Sequence, residues 1–364
     1  MASLILQDGT VFRGESFGAP VDTDGEVVFN TGMAGYNESL TDPSYRGQIL
    51  TFTYPLIGNY GVPSEKLNAW GFSENFESEN IHVRGVVCAH VSEGFSHHAA
   101  VSSLQHWMEK HNVPGITGID TRALTKKLRE HGVMLGRIVQ APTPGPSSSG
   151  GGESVMEPIP DPNLTNLVAE VSCTEPITYD PKGAIDKIPT LIAYDCGIKR
   201  NILRSLLKRG VRVVRVPWNF DLDSLDSHDL YQGVFISNGP GDPKMCKETI
   251  ESIRYALEKD VLTFGICLGN QLLALAVGGD TYKLKYGHRG VNQPCIETLT
   301  PRPLSHLLSP QPLLVHSSIP RPLPPEEEGE NIRSTNNKHS PPPSEEGLGV
   351  EETNKEEGLG VEET

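Results

Sequence analysis

The sequence predicts an α/β protein with three parts: a mixed α/β N-terminal domain, a second domain with a parallel sheet flanked by helices, and a disordered tail. Three observations carry that prediction. From residue 188 short apolar strands alternate with helical segments, the order that a parallel, helix-covered sheet requires. Up to residue 140 strand-like pieces are separated by Gly, Pro and Asn turns, with a helix only towards the end. Beyond residue 296 Pro-rich and Glu-rich low complexity takes over, and such a composition buries too little apolar surface to offset chain entropy. A chain of 364 residues has room for two domains of roughly 150 residues each plus connections.

The first domain is read as residues 1–140, with strands expected at 2–6, 26–30, 48–54 and 85–89. Its late helix should start at Asp120 as N-cap, carry Leu124 and Leu128 on one face, and stop at Gly132. Residues 141–187 read as a linker, because 141–152 is APTPGPSSSGGG and prolines recur through Pro181. The second domain, 188–296, should hold strands at 190–194, 211–216, 233–237 and 261–266, and helices at 198–209, 249–258 and 268–277. The tail, 297–364, contains the nonapeptide EEGLGVEET twice, at 345–353 and 356–364.

Net charge is −15, of which 297–364 contributes −8, so the part expected to fold is only mildly acidic. It lacks the basic face of a nucleic-acid binder. Six cysteines (Cys88, Cys173, Cys196, Cys246, Cys267, Cys295) show neither CxxC spacing nor a disulfide pattern, so no metal site is indicated. No apolar run approaches the roughly 20 residues that span a bilayer, and the N-terminus reads as a strand rather than a signal peptide. The expectation is a cytoplasmic protein with no membrane partner.

Chemistry points to Gly265-Ile266-Cys267-Leu268-Gly269, where a cysteine stands between an apolar strand and a helix. A lone cysteine after a strand is ordinarily a small buried hydrophobe. Here glycines on both sides allow a sharp turn that holds the thiol out at the top of a sheet over a helix N-terminus, as in a nucleophile elbow. Asn238-Gly-Pro-Gly-Asp-Pro243 follows the preceding strand, so loop and elbow both fall at carboxyl ends of strands, where such sheets collect their chemistry. Missing side chains there let backbone N–H groups approach a substrate carbonyl or the oxyanion formed from it.

Together these segments resemble the triad glutamine amidotransferases. Residues 29–38 (FNTGMAGYNE), 41–45 (TDPSY) and 54–61 (YPLIGNYG) are similar to the N-terminal domain of the small subunit of glutamine-hydrolysing carbamoyl phosphate synthetase. Within that family the chain looks most like the unit that opens the animal multifunctional pyrimidine-pathway protein, and the resemblance runs to about Ile296. It implies a class I glutamine amidotransferase domain, incomplete in this chain. It further implies that Cys267 is the nucleophile that forms a glutamyl thioester, with Gly239, Gly241, Leu268, Gln271 and Ser44 as substrate-binding residues. Ammonia would pass to a large synthetase subunit or fused synthetase domains, for carbamoyl phosphate in pyrimidine or arginine biosynthesis. ATP and Mg would be used by that partner, with no cofactor in this chain.

Two departures stand out. Asn270 replaces a histidine found in many relatives. After Ile296 the family's glutamine-binding segment, further strands and His-x-Glu pair are expected and not found: none of the twelve histidines is followed two residues later by Glu, and His306, His316 and His339 lie in Pro-rich, polar surroundings. Loss of a base costs such enzymes several powers of ten. The expectation is therefore an impaired glutaminase, or a pseudo-glutaminase acting as a synthetase-binding module, with a sheet edge left uncovered. The aberrant ending fits either a regulatory extension or a replaced C-terminus.

Overall fold

A computed structural model describes residues 1–140, 157–183, 188–225 and 230–287, all within one compact unit. The expected tail, residues 141–156, Cys295 and the histidines at 306, 316 and 339 lie outside the described residues.

Strands β1 (Ala2–Leu6), β2 (Val11–Gly18) and β3 (Thr23–Asn30) lead through helix α1 (Tyr36–Thr41) to β4 (Gln48–Phe52). Two minor ribbons follow, β5 (Leu56–Ile57) beside β8 (His90–Val91) and β6 (Val62–Pro63) beside β9 (Ala100–Ser102), with β7 (Gly85–Val87) between them in sequence. Helix α2 (Leu104–Lys110), β10 (Pro114–Thr117), α3 (Thr121–His131) and β11 (Met134–Gln140) complete this part. Seven strands close a barrel in the order β1-β11-β3-β4-β7-β10-β2. Successive side chains of a strand point to opposite faces. Val27, Ile49 and Val87 therefore enter one core cluster while their neighbours Val28, Leu50 and Val86 enter another. These parallel strands are buried on both sides, which is why they read as unbroken apolar runs. In α3 the Asp120 carboxylate accepts from the Ala123 N–H at 2.9 Å, Leu124 and Leu128 are fully buried, and Gly132 ends the helix at φ 96°.

The interval expected to be linker carries a 3-10 turn, a helix and a strand among its described residues. Asp161 caps a 3-10 turn over Pro162–Leu164, whose proline needs no donated N–H, and Asn166 caps helix α4 (Leu167–Val171). Strand β12 (Ile177–Tyr179) then joins the second sheet. Pro162, which reads as loop punctuation, here starts a turn, and burial of Leu167, Val168 and Tyr179 supplies what local sequence does not.

The second sheet runs β12-β14-β13-β15-β16, with β13 (Thr190–Asp195), β14 (Arg212–Pro217), β15 (Gly233–Ile236) and β16 (Leu262–Gly265) parallel and β12 antiparallel. Helix α5 (Arg200–Lys208) covers one face through Leu203 and Leu207, packed with Phe235. Helices α6 (Lys247–Glu258) and α7 (Leu268–Ala276) cover the other with Val234 and Ile236. Among the described residues β16 is an edge, and Leu262 and Phe264 are 80% and 63% exposed, Phe264 lying beside Phe235 on the face α5 covers further in. After α7 the chain returns to the barrel: Val133 N–H donates to Lys285 O at 2.8 Å, and Lys283 pairs with buried Glu26 at 2.5 Å. No helix among the described residues is long and apolar enough to cross a membrane.

Candidate active site

At the carboxyl end of β16 only two residues, Ile266 and Cys267, separate the strand from α7. Cys267 is the N-cap, with φ 56° and ψ −109°, and its side chain is exposed. Asn112 and Asp260, the other non-glycine residues with positive φ among those described, are of types that tolerate it, whereas cysteine is not. The turn closes because Gly265 and Gly269 touch. A Cβ on Gly265 would lie 2.4 Å from the backbone carbon and oxygen of Gly269, and one on Gly269 would lie 2.2 Å from Ile236 O. The Gly269 N–H donates to Ser237 O at 3.0 Å and Ile266 N–H to Ile236 O at 3.0 Å, which stitches the elbow to the end of β15. First-turn N–H groups of a helix, that of Leu268 included, have no intrahelical acceptor, and the helix's positive end favours an anion at its cap. Gln271 is exposed four residues beyond Cys267, hence on the same side of α7.

The glycine loop lies directly against this elbow. A Cβ on Gly239 would be 2.0 Å from Cys196 O and 2.8 Å from the Leu268 side chain, so only glycine fits between β13 and the elbow helix. Gly241 has φ +82° and is exposed. Ser44 arrives from the barrel on a 3-10 turn capped by Asp42, and Asn238 Nδ2 donates to its Oγ at 3.0 Å. The fold thus gathers Ser44, Gly239, Leu268 and Cys267 at one junction, with Gln271 on the same side of α7 and Gly241 further along the loop.

Residues that the motifs did not single out hold this junction. Asp195, fully buried at the end of β13, accepts from the N–H groups of Cys173, Gly197 and Ile198 at 2.7, 3.0 and 2.8 Å and from Arg215 Nε at 2.9 Å. It thereby shapes the loop that presents Lys199, whose Nζ pairs with Asp42 at 2.7 Å. Burial disfavours the Lys199 ammonium, but Asp42 and then Glu77 outweigh it and hold its pKa above the ordinary lysine value. Beside it Arg200 pairs with Glu79 and Arg204 with Glu77, so second-sheet cations meet barrel carboxylates across the junction. Burial pushes the Glu77 pKa up. A polar residue closing an apolar strand, as Asp195 does, was the available signal.

The other described cysteines are partly or fully buried. Burial pushes the Cys88 and Cys246 thiols up to about 12 and Cys173 to about 11, and raises Cys196 well above its ordinary value. They are packed neutral thiols. Only Cys267 among the described cysteines is exposed. A strained, exposed thiol over a helix N-terminus, next to a bare backbone loop, is an arrangement for nucleophilic attack on a carbonyl carbon.

Comparison with known proteins gives two family matches: "Carbamoyl-phosphate synthase small chain, CPSase domain" over residues 4–138, and "Glutamine amidotransferase class-I" over 192–316. The "Carbamoyl phosphate synthase small chain" of Pyrococcus furiosus is 47% identical over 295 residues, covering 80% of this chain and 76% of that one. The "Multifunctional protein CAD" of Squalus acanthias is 49% identical over 304 residues, which is 83% of this chain but 13% of that protein. The "Carbamoyl phosphate synthase arginine-specific small chain" of Aspergillus niger is 47% identical over 83% of this chain and 64% of its own. The chain thus spans only a small part of the multifunctional relatives. A solved aminopeptidase from Aneurinibacillus sp. strain AM-1 aligns over 77% of this chain and 70% of that one at 11% identity with a TM-score of 0.21, too low to bear on the fold.

Proposed function

Because the chain belongs to the family of carbamoyl phosphate synthase small chains, we propose that it binds glutamine at the Cys267 elbow and serves as the ammonia-releasing component of a carbamoyl phosphate synthase. The observation that carries this reading is the strained, exposed Cys267 set against the Gly239 loop, with Ser44 tied to the same loop from the barrel. In the proposed reaction the thiolate attacks the side-chain carboxamide carbon of glutamine. The oxyanion formed is met by backbone N–H groups at Leu268 and the glycine loop, the C–N bond breaks, and nitrogen leaves as ammonia after taking a proton. Water then cleaves the glutamyl thioester to glutamate and restores the thiol. Gly241, Gln271 and Ser44 hold the amino-acid end. Ammonia passes to a synthetase partner, to which the ATP-dependent chemistry belongs.

Within these 364 residues no histidine is followed two residues later by glutamate. On that ground the proposal includes slow hydrolysis by this chain alone, with binding and thiol reactivity retained. Labelling with an electrophilic glutamine analogue tests the first claim: saturable modification of Cys267, absent in Cys267→Ser, is expected. Modification no faster than by a simple alkylating amide overturns it. Glutamate release and glutamine-dependent carbamoyl phosphate formation, measured with a synthetase large chain added, test the second. Saturable labelling with tight docking and no glutamate release is the outcome that makes the chain a synthetase-binding pseudo-glutaminase.

A further inference from the structure

Asn238 lies in the loop and not in the elbow, yet its buried side chain joins the three segments that meet at the site. Only 2% of the residue is exposed. Its Oδ1 accepts from the Lys199 N–H at 3.3 Å, and its Nδ2 donates to Gly197 O at 2.8 Å and to Ser44 Oγ at 3.0 Å. The first two partners are backbone groups of fixed polarity. Turning the amide over would set NH2 against N–H and oxygen against oxygen, so the backbone dictates which end faces Ser44. An amide NH2 has no accepting lone pair for this contact, so the Ser44 oxygen must be the acceptor. Its single proton is then left to point elsewhere, and among the described residues it has no acceptor. Ser44 is half-buried, and its backbone N–H is held by the Asp42 cap, which fixes where its side chain starts.

We propose that Asn238 is a positioning residue that sets the polarity of the Ser44 hydroxyl, making it an acceptor towards the loop and hence a donor towards an oxygen of the bound glutamine. This rests on the glutamine reading above. It assigns Asn238 a task that a plain loop spacer would not have, because the group it aims belongs to the other domain, 194 positions away in sequence.

The test uses the full chain and a chloroketone analogue of glutamine, following Cys267 modification against analogue concentration to obtain a half-saturating concentration and a limiting rate. Asn238→Asp places an acceptor against Ser44, which draws the proton inward and repels Gly197 O. It should raise the half-saturating concentration about tenfold, with a smaller change in limiting rate. Ser44→Ala should do the same. The double variant should be no worse than either alone, since both remove one interaction. Multiplying effects in the double variant overturn the proposal. So does a Ser44→Ala chain that melts earlier but saturates as before, because the hydroxyl would then only support the loop; this arm decides if Asn238→Asp fails to fold. An unsubstituted chain without saturable labelling removes the glutamine reading and this inference with it, whereas saturable labelling with multiplying effects removes this inference alone.

Discussion

At Cys267 the backbone torsions carry more information than the thiol itself. A Cβ at φ 56°, ψ −109° is disfavoured by about 1–3 kcal/mol, a strain the surrounding packing must hold in place. Glycine adopts such torsions without that cost. In ordinary backbone Gly is less stable than Ala by about 0.5–1 kcal/mol, because it loses more chain entropy on folding. Here the order should reverse, with Cys267→Gly more stable than Cys267→Ala by about 1 kcal/mol, both being inert to the glutamine analogue. Denaturant midpoints of the two variants measure it, and an Ala chain as stable as the Gly chain would show that the turn stores no strain. The turn leaves the sulfur exposed at its tip, whereas Cys196 and Cys246, neither of them at positive φ, are fully buried.

Strand and helix can meet at the elbow only because two glycines let β16 and α7 touch. In Gly265→Ala the new Cβ would sit 2.4 Å from Gly269 backbone atoms, which cannot rotate away as a side chain could. The strand and helix must separate, with an expected loss of about 1–3 kcal/mol and slower analogue labelling as Cys267 shifts. Gly94→Ala serves as the control, since nothing lies within 4 Å of its Cβ and its φ is not positive, so it should change stability by less than about 0.5 kcal/mol. Equal effects of the two substitutions would sink the argument. The same locality explains what the sequence disclosed. Helix α3 was legible to its cap, and β13 to α7 were legible as apolar runs alternating with helices, because cap, periodicity and stop lie within a few residues of one another. Closure of the barrel was not legible, since it depends on β1 pairing with β11 at the far end of the domain, nor was β2, whose VFRGESFG is largely exposed. Around the site, Cys267, Gly239, Gly241 and Ser44 stood out as motif residues. Asp195, Lys199 and the side-chain role of Asn238 did not, because each acts through a partner that only the fold brings near.

Across the whole molecule the barrel and the second sheet meet through charges, and His82 lies among them. Its Nδ1 is buried and has no hydrogen-bond partner among the described residues. Burial, then the Arg46 guanidinium, pulls its pKa down from 6.5 to about 4; Arg200 acts in the same direction, while Asp42 and Glu79 oppose. In the unfolded chain the imidazole titrates near 6.5, so between about 6.5 and 4 the unfolded state takes up a proton that the folded state refuses. This contribution is fully present above 6.5 and is lost as pH falls towards about 4. Between about pH 7.5 and 5 the loss comes to about 2 kcal/mol, nearer 1 with partial solvent screening. Glu77, raised by burial, contributes with the opposite sign, since its protonation as pH falls relieves a buried charge. A comparison of variants isolates His82. His82→Gln keeps a neutral polar side chain, so its unfolding free energy should fall less than that of the parent chain over this range, by about 1–2 kcal/mol. Parallel losses in the two chains would mean that His82 is not held neutral. Asp42 and Arg200, whose charges act on the imidazole in opposite directions, belong to opposite sides of the junction holding Ser44 against Asn238.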